Sequence, residues 1–183
     1  MQNDVAIEYT IKAAAQWGGF SMPPSLVRNR ENIVLKGLLR SGQHVAVRLH
    51  RIGYQTSEAI ISELVWTKAL AEAGFPCPRP IARENGDLIW QGDGPTVSII
   101  TWIDAQCVGE MGAVYGGIES EHCALYEKVG GLIADMHQTT DTLSLPVQPR
   151  PEWSKDGLLG ETPWWGRFWE NQCLTKEEST FLS

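Results

Sequence analysis

The feature that most restricts this chain is a block of alternating apolar strands closed by one capped helix. Ile33–Leu39 and Val45–His50 read as strands, and Ser41-Gly42 between them is a hairpin turn signal. In the second strand Val45, Val47 and Leu49 take one face, and Ala46, Arg48 and His50 take the other. Thr56 or Ser57 then serves as the N-cap of a helix over residues 57–73. Ile60, Ile61, Leu64, Val65, Leu70 and Ala71 give that helix a broad apolar face, Gly74 stops it and Pro76 follows.

Further strands flank this block. Ser25–Arg28 is a short candidate before it. Phe75–Pro80 is extended, because each proline disfavours helical geometry in its predecessor. Asn85-Gly86 is the strongest hairpin signal in the chain and separates Ile81–Glu84 from Leu88–Gln91. Thr96–Ile103 is an apolar strand after a second turn at residues 92–95. Upstream, residues 4–17 form a helix with Val5, Ile7, Ile11 and Ala14-Ala15 as its apolar face, ended by Gly18-Gly19. The first hundred residues thus spell a mostly antiparallel sheet of about five strands with one helix inserted after the third.

The pattern changes downstream. Residues 109–117 are a small-residue linker. Residues 120–138 form a helix carrying Leu125, Val129, Leu132, Ile133 and Met136 at helical spacing. Residues 141–161 contain Pro146, Pro149 and Pro151 and show no period. Thr162-Pro163 opens a helix with Trp165, Phe168 and Trp169 on one face. Thr175 followed by Glu178 is a capping box. The helix it announces has about eight residues before the sequence stops, below the roughly 12–15 needed for a marginal isolated helix. The expectation is a chain cut inside a structural element.

Charge narrows the partners. The 183 residues carry 15 Lys and Arg against 22 Asp and Glu, a net charge of −7. That balance argues against nucleic acid as the main partner and against an anionic membrane surface. No stretch of eighteen apolar residues spans a membrane. Cys77, Cys107, Cys123 and Cys173 are widely spaced and fit no zinc pattern, which points to reduced thiols and a cytoplasmic address.

No P-loop, dinucleotide-binding fingerprint or nucleophile elbow occurs. What remains is a pair. Arg48 is a cation inside an apolar strand. Glu63 lies beside the apolar face of the next helix, and its neighbours three and four residues away, Ala59, Ile60, Trp66 and Thr67, include no cation. Either Arg48 reaches solvent while Glu63 sits at a helix edge, or the two meet across the strand–helix contact.

The runs Arg30-Glu-Asn-Ile-Val34, Gln43-His-Val-Ala-Val-Arg-Leu-His-Arg51, Ser62-Glu-Leu64 and Gly74-Phe-Pro-Cys-Pro-Arg-Pro80 resemble the opening of the aminoglycoside phosphotransferase family, which includes choline-kinase-like enzymes. Leu132-Ile-Ala-Asp-Met-His137 and Trp165-Gly-Arg-Phe-Trp-Glu170 continue the likeness, which runs from about residue 20 to 178. The resemblance implies an α+β fold. Residues 1–104 would be a protein-kinase-like N-lobe, a five-stranded antiparallel sheet plus one helix, with an N-terminal helix ahead of it. Residues 105–183 would be a linker and the start of an incomplete helical C-lobe. It further implies ATP and Mg as cofactors and a hydroxyl-bearing small molecule as acceptor.

In such a lobe a strand cation, usually Lys, holds the α/β-phosphates and a helix Glu orients it. Arg48 and Glu63 match those positions, with Arg keeping charge and a bidentate grip. The loop Arg28–Asn32, with Arg30 and Asn32, matches the phosphate-covering loop, although it also reads as an ordinary polar hairpin loop. By the same resemblance the carbonyl of Thr101 and the amide of Ile103 would hold adenine.

The family's His-x-Asp catalytic loop and its metal ligands do not occur in this sequence. No catalytic base is therefore carried over. Trp153, Trp164, Trp165 and Trp169 crowd the end of the chain. They read either as a cofactor or sugar platform or as an apolar patch that promotes self-association. Three functions stand: part of an ATP-dependent phosphotransferase inactive by itself, a non-catalytic nucleotide-binding or interaction module, and an enzyme of another class.

Overall fold

A computed structural model describes residues 1–105, 119–145, 153–164 and 166–182. The expected linker at 109–117, the three prolines at 146–151, Cys107 and Trp165 lie outside the described residues. The chain forms two compact units, Met1–Gln148 and Pro149–Ser183.

The first unit is built on one antiparallel sheet. Its strands are β1 (Ser25–Asn29), β2 (Ile33–Leu38), β3 (His44–Leu49), β4 (Ile89–Trp90) and β5 (Val97–Thr101), in the order β1-β2-β3-β5-β4. The register sets the two faces. Ile33 pairs with Leu49, Leu35 with Val47 and Val47 with Ile99. These side chains are buried and share one face with Val45 and Val97. The opposite face carries Val34, Lys36, Ala46, Arg48, Ser98 and Ile100, since Val34 pairs with Arg48, Lys36 with Ala46, Arg48 with Ser98 and Ala46 with Ile100. On β2 that second face is only half-buried.

Helix α1 (Asn3–Ala14) and a 3-10 turn to Trp17 cover the fully buried face. The stripe they present is Ala6, Thr10, Ala13 and Trp17, whereas Val5 and Ile11 of the expected face are exposed. Small residues win because they let the helix backbone sit close on the sheet. Of the expected face Ala14 is buried and Ile7 packs against the core, so periodicity marked that side only in part. Trp17 fixes the end of the strap by donating its indole N–H to the Ile81 carbonyl at 2.7 Å. Tyr9 donates to the Pro95 carbonyl at 3.0 Å, and Lys12 pairs with Asp93 at 3.1 Å. Beyond Gly18, which takes the left-handed conformation that a helix stop favours, Phe20 packs over Gly37 on this face. A Cβ at Gly37 would lie 2.4 Å from the Phe20 ring, so β2 needs a glycine there.

Helix α2 (Ser57–Glu72) begins where Thr56 Oγ1 accepts from the Ala59 N–H at 3.2 Å. It packs Ile60 and Leu64 against Ile89, with Ile61, Leu88 and Ile100 around them. One expected strand is missing. Residues 81–84 do not pair as a strand, although the Asn85-Gly86 turn forms, with the Gly86 N–H on the Arg83 carbonyl. Arg79 and Ile81 instead bond the outer rim of β5, with one bridge at Pro80–Ile100. The chain then loops out and returns as β4 on the same rim. Pro80 has no N–H to continue a ladder there.

Helix α3 (Glu119–Thr142) runs one turn past its expected end and touches α2 through Trp66, whose indole N–H donates to Thr140 Oγ1 at 3.1 Å. Its described side chains include no buried one, and Tyr126, Val129, Leu132 and Ile133 are exposed. Among the described residues no helix is long and apolar enough to cross a membrane.

In the second unit, α4 (Lys155–Leu159) starts at Ser154, whose Oγ accepts from the Gly157 N–H. This helix was hidden in sequence by its brevity. The helix expected at Thr162-Pro163 does not form. The Gly166 N–H closes a turn on the Pro163 carbonyl, and Gly166 takes a positive φ of 85°, which ends helical geometry after one turn. Only a 3-10 turn, Phe168–Glu170, follows. Helix α5 (Lys176–Leu182) has the expected capping box, with Glu178 N–H on Thr175 Oγ1 and Thr175 N–H on the Glu178 carboxylate.

Candidate functional site

The half-open sheet face is where the sequence-selected residues converge. Strand parity puts Arg48 on it between Val34 and Ser98, and the helix that follows β3 carries Glu63 back over it. Arg48 Nη1 lies 2.6 Å from Glu63 Oε1. Both side chains keep 23% of their surface exposed, so the pair is neither dry nor free in solvent. That geometry settles the two readings of the pair in favour of contact across the strand and helix. A charge-assisted bond this short fixes one arm of the guanidinium and leaves its remaining donors available.

His50 is a residue whose role the sequence did not reveal. It is 5% exposed, and its Nε2 lies 2.9 Å from Ser98 Oγ, beside the Arg48 register position. Burial pushes its pKa down to about 4, the Arg48 charge pushes the same way, and Glu63 opposes weakly. The imidazole is therefore neutral at ordinary pH, and Arg48 is the only cation this pair of strands directs at Glu63. Parity alone placed His50 on this face. Its partner on β5 gave no signal in the sequence.

Around the pair the other expected residues sit apart. Asn32 in the β1–β2 loop accepts the Arg51 N–H on its side-chain oxygen at 3.2 Å, which ties that loop to the start of the β3–α2 connection. Arg30 donates its backbone N–H to the Asn32 carbonyl and borders a hollow shared with Asn29, Ile33, Arg51 and Pro95. Neither residue touches Arg48 or Glu63 among the contacts of the described residues. At the far end of β5, Thr101 bonds Arg79 through its N–H and its Oγ1, and the Trp102 N–H donates to the His44 carbonyl. Among the described residues the Ile103 N–H has no backbone acceptor, and Ile103 is exposed.

Two more residues occupy the same face. Lys36 extends over the Trp102 indole, with Nζ 4.5 Å from the ring centroid. Among the described residues the buried Trp102 indole N–H has no acceptor. Ala46, small and 8% exposed, lies between Lys36 and Ile100 in the register. A lysine on a half-open strand face looks in sequence like any solvated one.

In the second unit, Arg167 pairs with Glu170 at 2.6 Å and lies 5.3 Å from the Trp169 ring centroid, against which Phe168 packs edge-on. Trp153, Leu159, Trp164 and Phe181 are exposed. Among the described residues no three metal-ligating side chains cluster.

Residues 31–176 match the phosphotransferase enzyme family. No curated protein matches the sequence. Among solved structures the chain is similar in fold to an amicoumacin kinase in complex with AMP-PNP, Ca2+ and Ami, with a TM-score of 0.62 and 16% identity over 87% of this chain and 46% of that one. It is also similar to a microcompartment-associated aminopropanol kinase, with a TM-score of 0.65 and 21% identity over 90% of this chain and 50% of that one. The chain thus spans about half the length of these two structures. They share its antiparallel sheet with helices, a kinase-like fold.

Proposed function

We propose, from the premise that this chain belongs to the phosphotransferase enzyme family, that it carries the nucleotide-holding part of an ATP-dependent small-molecule kinase. Residues 1–104 would be the nucleotide lobe and residues 105–183 the beginning of the helical lobe. The acceptor would be a hydroxyl-bearing small molecule. The two similar structures, kinases of amicoumacin and of aminopropanol, support that class.

The observation that carries this reading is the Arg48–Glu63 pair at 2.6 Å on a half-open sheet face. Glu63 takes one guanidinium arm and sets its plane, so that the remaining N–H donors are held out toward an anion. Phosphate oxygens of a nucleotide fit those donors, and no carboxylate other than Glu63 is bonded to them among the described residues. The Thr101 carbonyl and the Ile103 N–H, which has no backbone acceptor among the described residues, offer one acceptor and one donor at the opposite end, which suits a purine edge. Small Ala46 leaves room for a flat ring between the two ends. Asn32, by holding its loop to Arg51, would keep the Arg30 loop near the phosphates.

A bound magnesium nucleotide supplies the phosphoryl group and screens its charge. This chain's residues bind and orient it, and none is assigned as the base that positions an acceptor hydroxyl, because no His-x-Asp is present. The expected result is nucleotide binding without turnover. Calorimetric titration of the full chain with magnesium ATP tests it. Arg48→Ala should weaken binding about tenfold or more, as for loss of a charged hydrogen bond. No binding by the unaltered chain overturns the nucleotide reading, and measurable phosphoryl transfer overturns the assignment of an inactive half.

A second reading, a non-catalytic nucleotide-binding or interaction module, is favoured by the exposed apolar side chains of α3 and of the second unit. A partner that captures the chain while Arg48→Ala changes nothing would favour it.

A further inference from the structure

Resting on the nucleotide reading above, we infer that Lys36 and Trp102 select the base, and that the chain accepts GTP with an affinity at least comparable to that for ATP. The register places Lys36, Ala46 and Ile100 in one row across β2, β3 and β5, on the face that carries Arg48. Trp102 follows Thr101 and precedes Ile103, the two residues whose backbone groups would hold the base on the nucleotide reading. Its ring therefore marks that end of the face. Lys36 is parked there, 4.5 Å from the ring centroid.

The contact fixes both partners. Among the described residues the buried indole N–H has no acceptor, so the contact of the ring with Lys36 is made through its π-face. The ring holds the ammonium by cation–π attraction, which in a partly desolvated place is stronger than at an exposed one. Lys36 is half-buried, and among the described residues that ring is its one partner, which leaves ammonium N–H donors unspent.

The choice of base follows from donor and acceptor chemistry. An ammonium only donates. Guanine offers two acceptors, O6 and N7, on one edge, whereas adenine offers N7 beside an amino group that itself donates. A positive donor near that edge is matched by guanine and opposed by the adenine amino group. An aliphatic residue at position 36 would remove the distinction.

The test compares GTP and ATP affinities, each with magnesium, for the full chain, for Lys36→Met and for Lys36→Arg. Circular dichroism melts confirm that each variant is folded. The unaltered chain should bind GTP at least as tightly as ATP. Lys36→Met should lower the GTP-to-ATP affinity ratio about tenfold, the effect of losing one charged hydrogen bond. Lys36→Arg should retain most of the ratio. A chain that prefers ATP by more than tenfold overturns the inference, as does a ratio that Lys36→Met leaves unchanged while both affinities fall together. Those results leave the nucleotide reading standing, whereas binding of neither nucleotide by the unaltered chain removes both.

Discussion

Single residues on the half-open sheet face differ in how openly the sequence announced them. Arg48 stood out because a cation at an apolar strand position demands a partner, and Glu63 because its own helix offers none. Their meeting at 2.6 Å follows from those two deficits. His50 and Lys36 did not stand out, because the groups that define them, Ser98 on β5 and Trp102 just after it, lie about fifty or more residues away in sequence. His50 also makes stability depend on pH. Its folded pKa is lowered to about 4 by burial and by Arg48. Between that value and the unfolded one, near 6.5, the unfolded chain binds a proton that the folded chain refuses, so stability falls as pH falls. The contribution is complete above about pH 6.5 and is lost on descent to about 4, by at most about 3 kcal/mol. Denaturant midpoints measured at about pH 7 and about pH 4.5 should show the drop, and His50→Gln should flatten it. An equal slope in the variant would assign the effect to other groups.

At the scale of elements, turn and cap chemistry was readable and the choice of packing side was not. The Ser41-Gly42 turn, the Thr56 cap and the Thr175–Glu178 box all form, because each is a local bond between residues a few positions apart. Helix α1 was placed correctly, but only Ile7 and Ala14 of its expected face pack inward, while Val5 and Ile11 are exposed. Its contact with the sheet is governed by how closely two backbones approach, which single-chain periodicity does not report. Residues 81–84 failed as a strand for a related reason, since the rim of β5 is shared out between Arg79–Ile81 and β4. Phe20 lies close on Gly37, where a Cβ would meet the ring at 2.4 Å. Gly37→Ala should therefore destabilise the chain by about 1–3 kcal/mol, seen as a lower thermal midpoint. In a Phe20→Leu background the same substitution should cost less, and strict additivity would show that the ring is not the obstacle.

For the molecule as a whole, the exposed apolar residues matter most. Tyr126, Val129, Leu132 and Ile133 lie bare on α3, and Trp153, Leu159, Trp164 and Phe181 lie bare in the second unit. Surface of this kind drives association. Light scattering at rising concentration should give a mass above the 20.3 kDa of one chain. Leu132→Glu combined with Trp153→Ser should bring it down, and a monomer at every concentration would contradict the expectation. The sheet bears on how such contacts would be made. Its rim at β1 is broken by a register shift between Leu26 and Arg28, and its rim at β4 is two residues long with Pro80 beside it. Neither border presents a flat run of free amides and carbonyls to an incoming strand. Folded copies would then adhere through exposed apolar side chains rather than by pairing sheet border to sheet border.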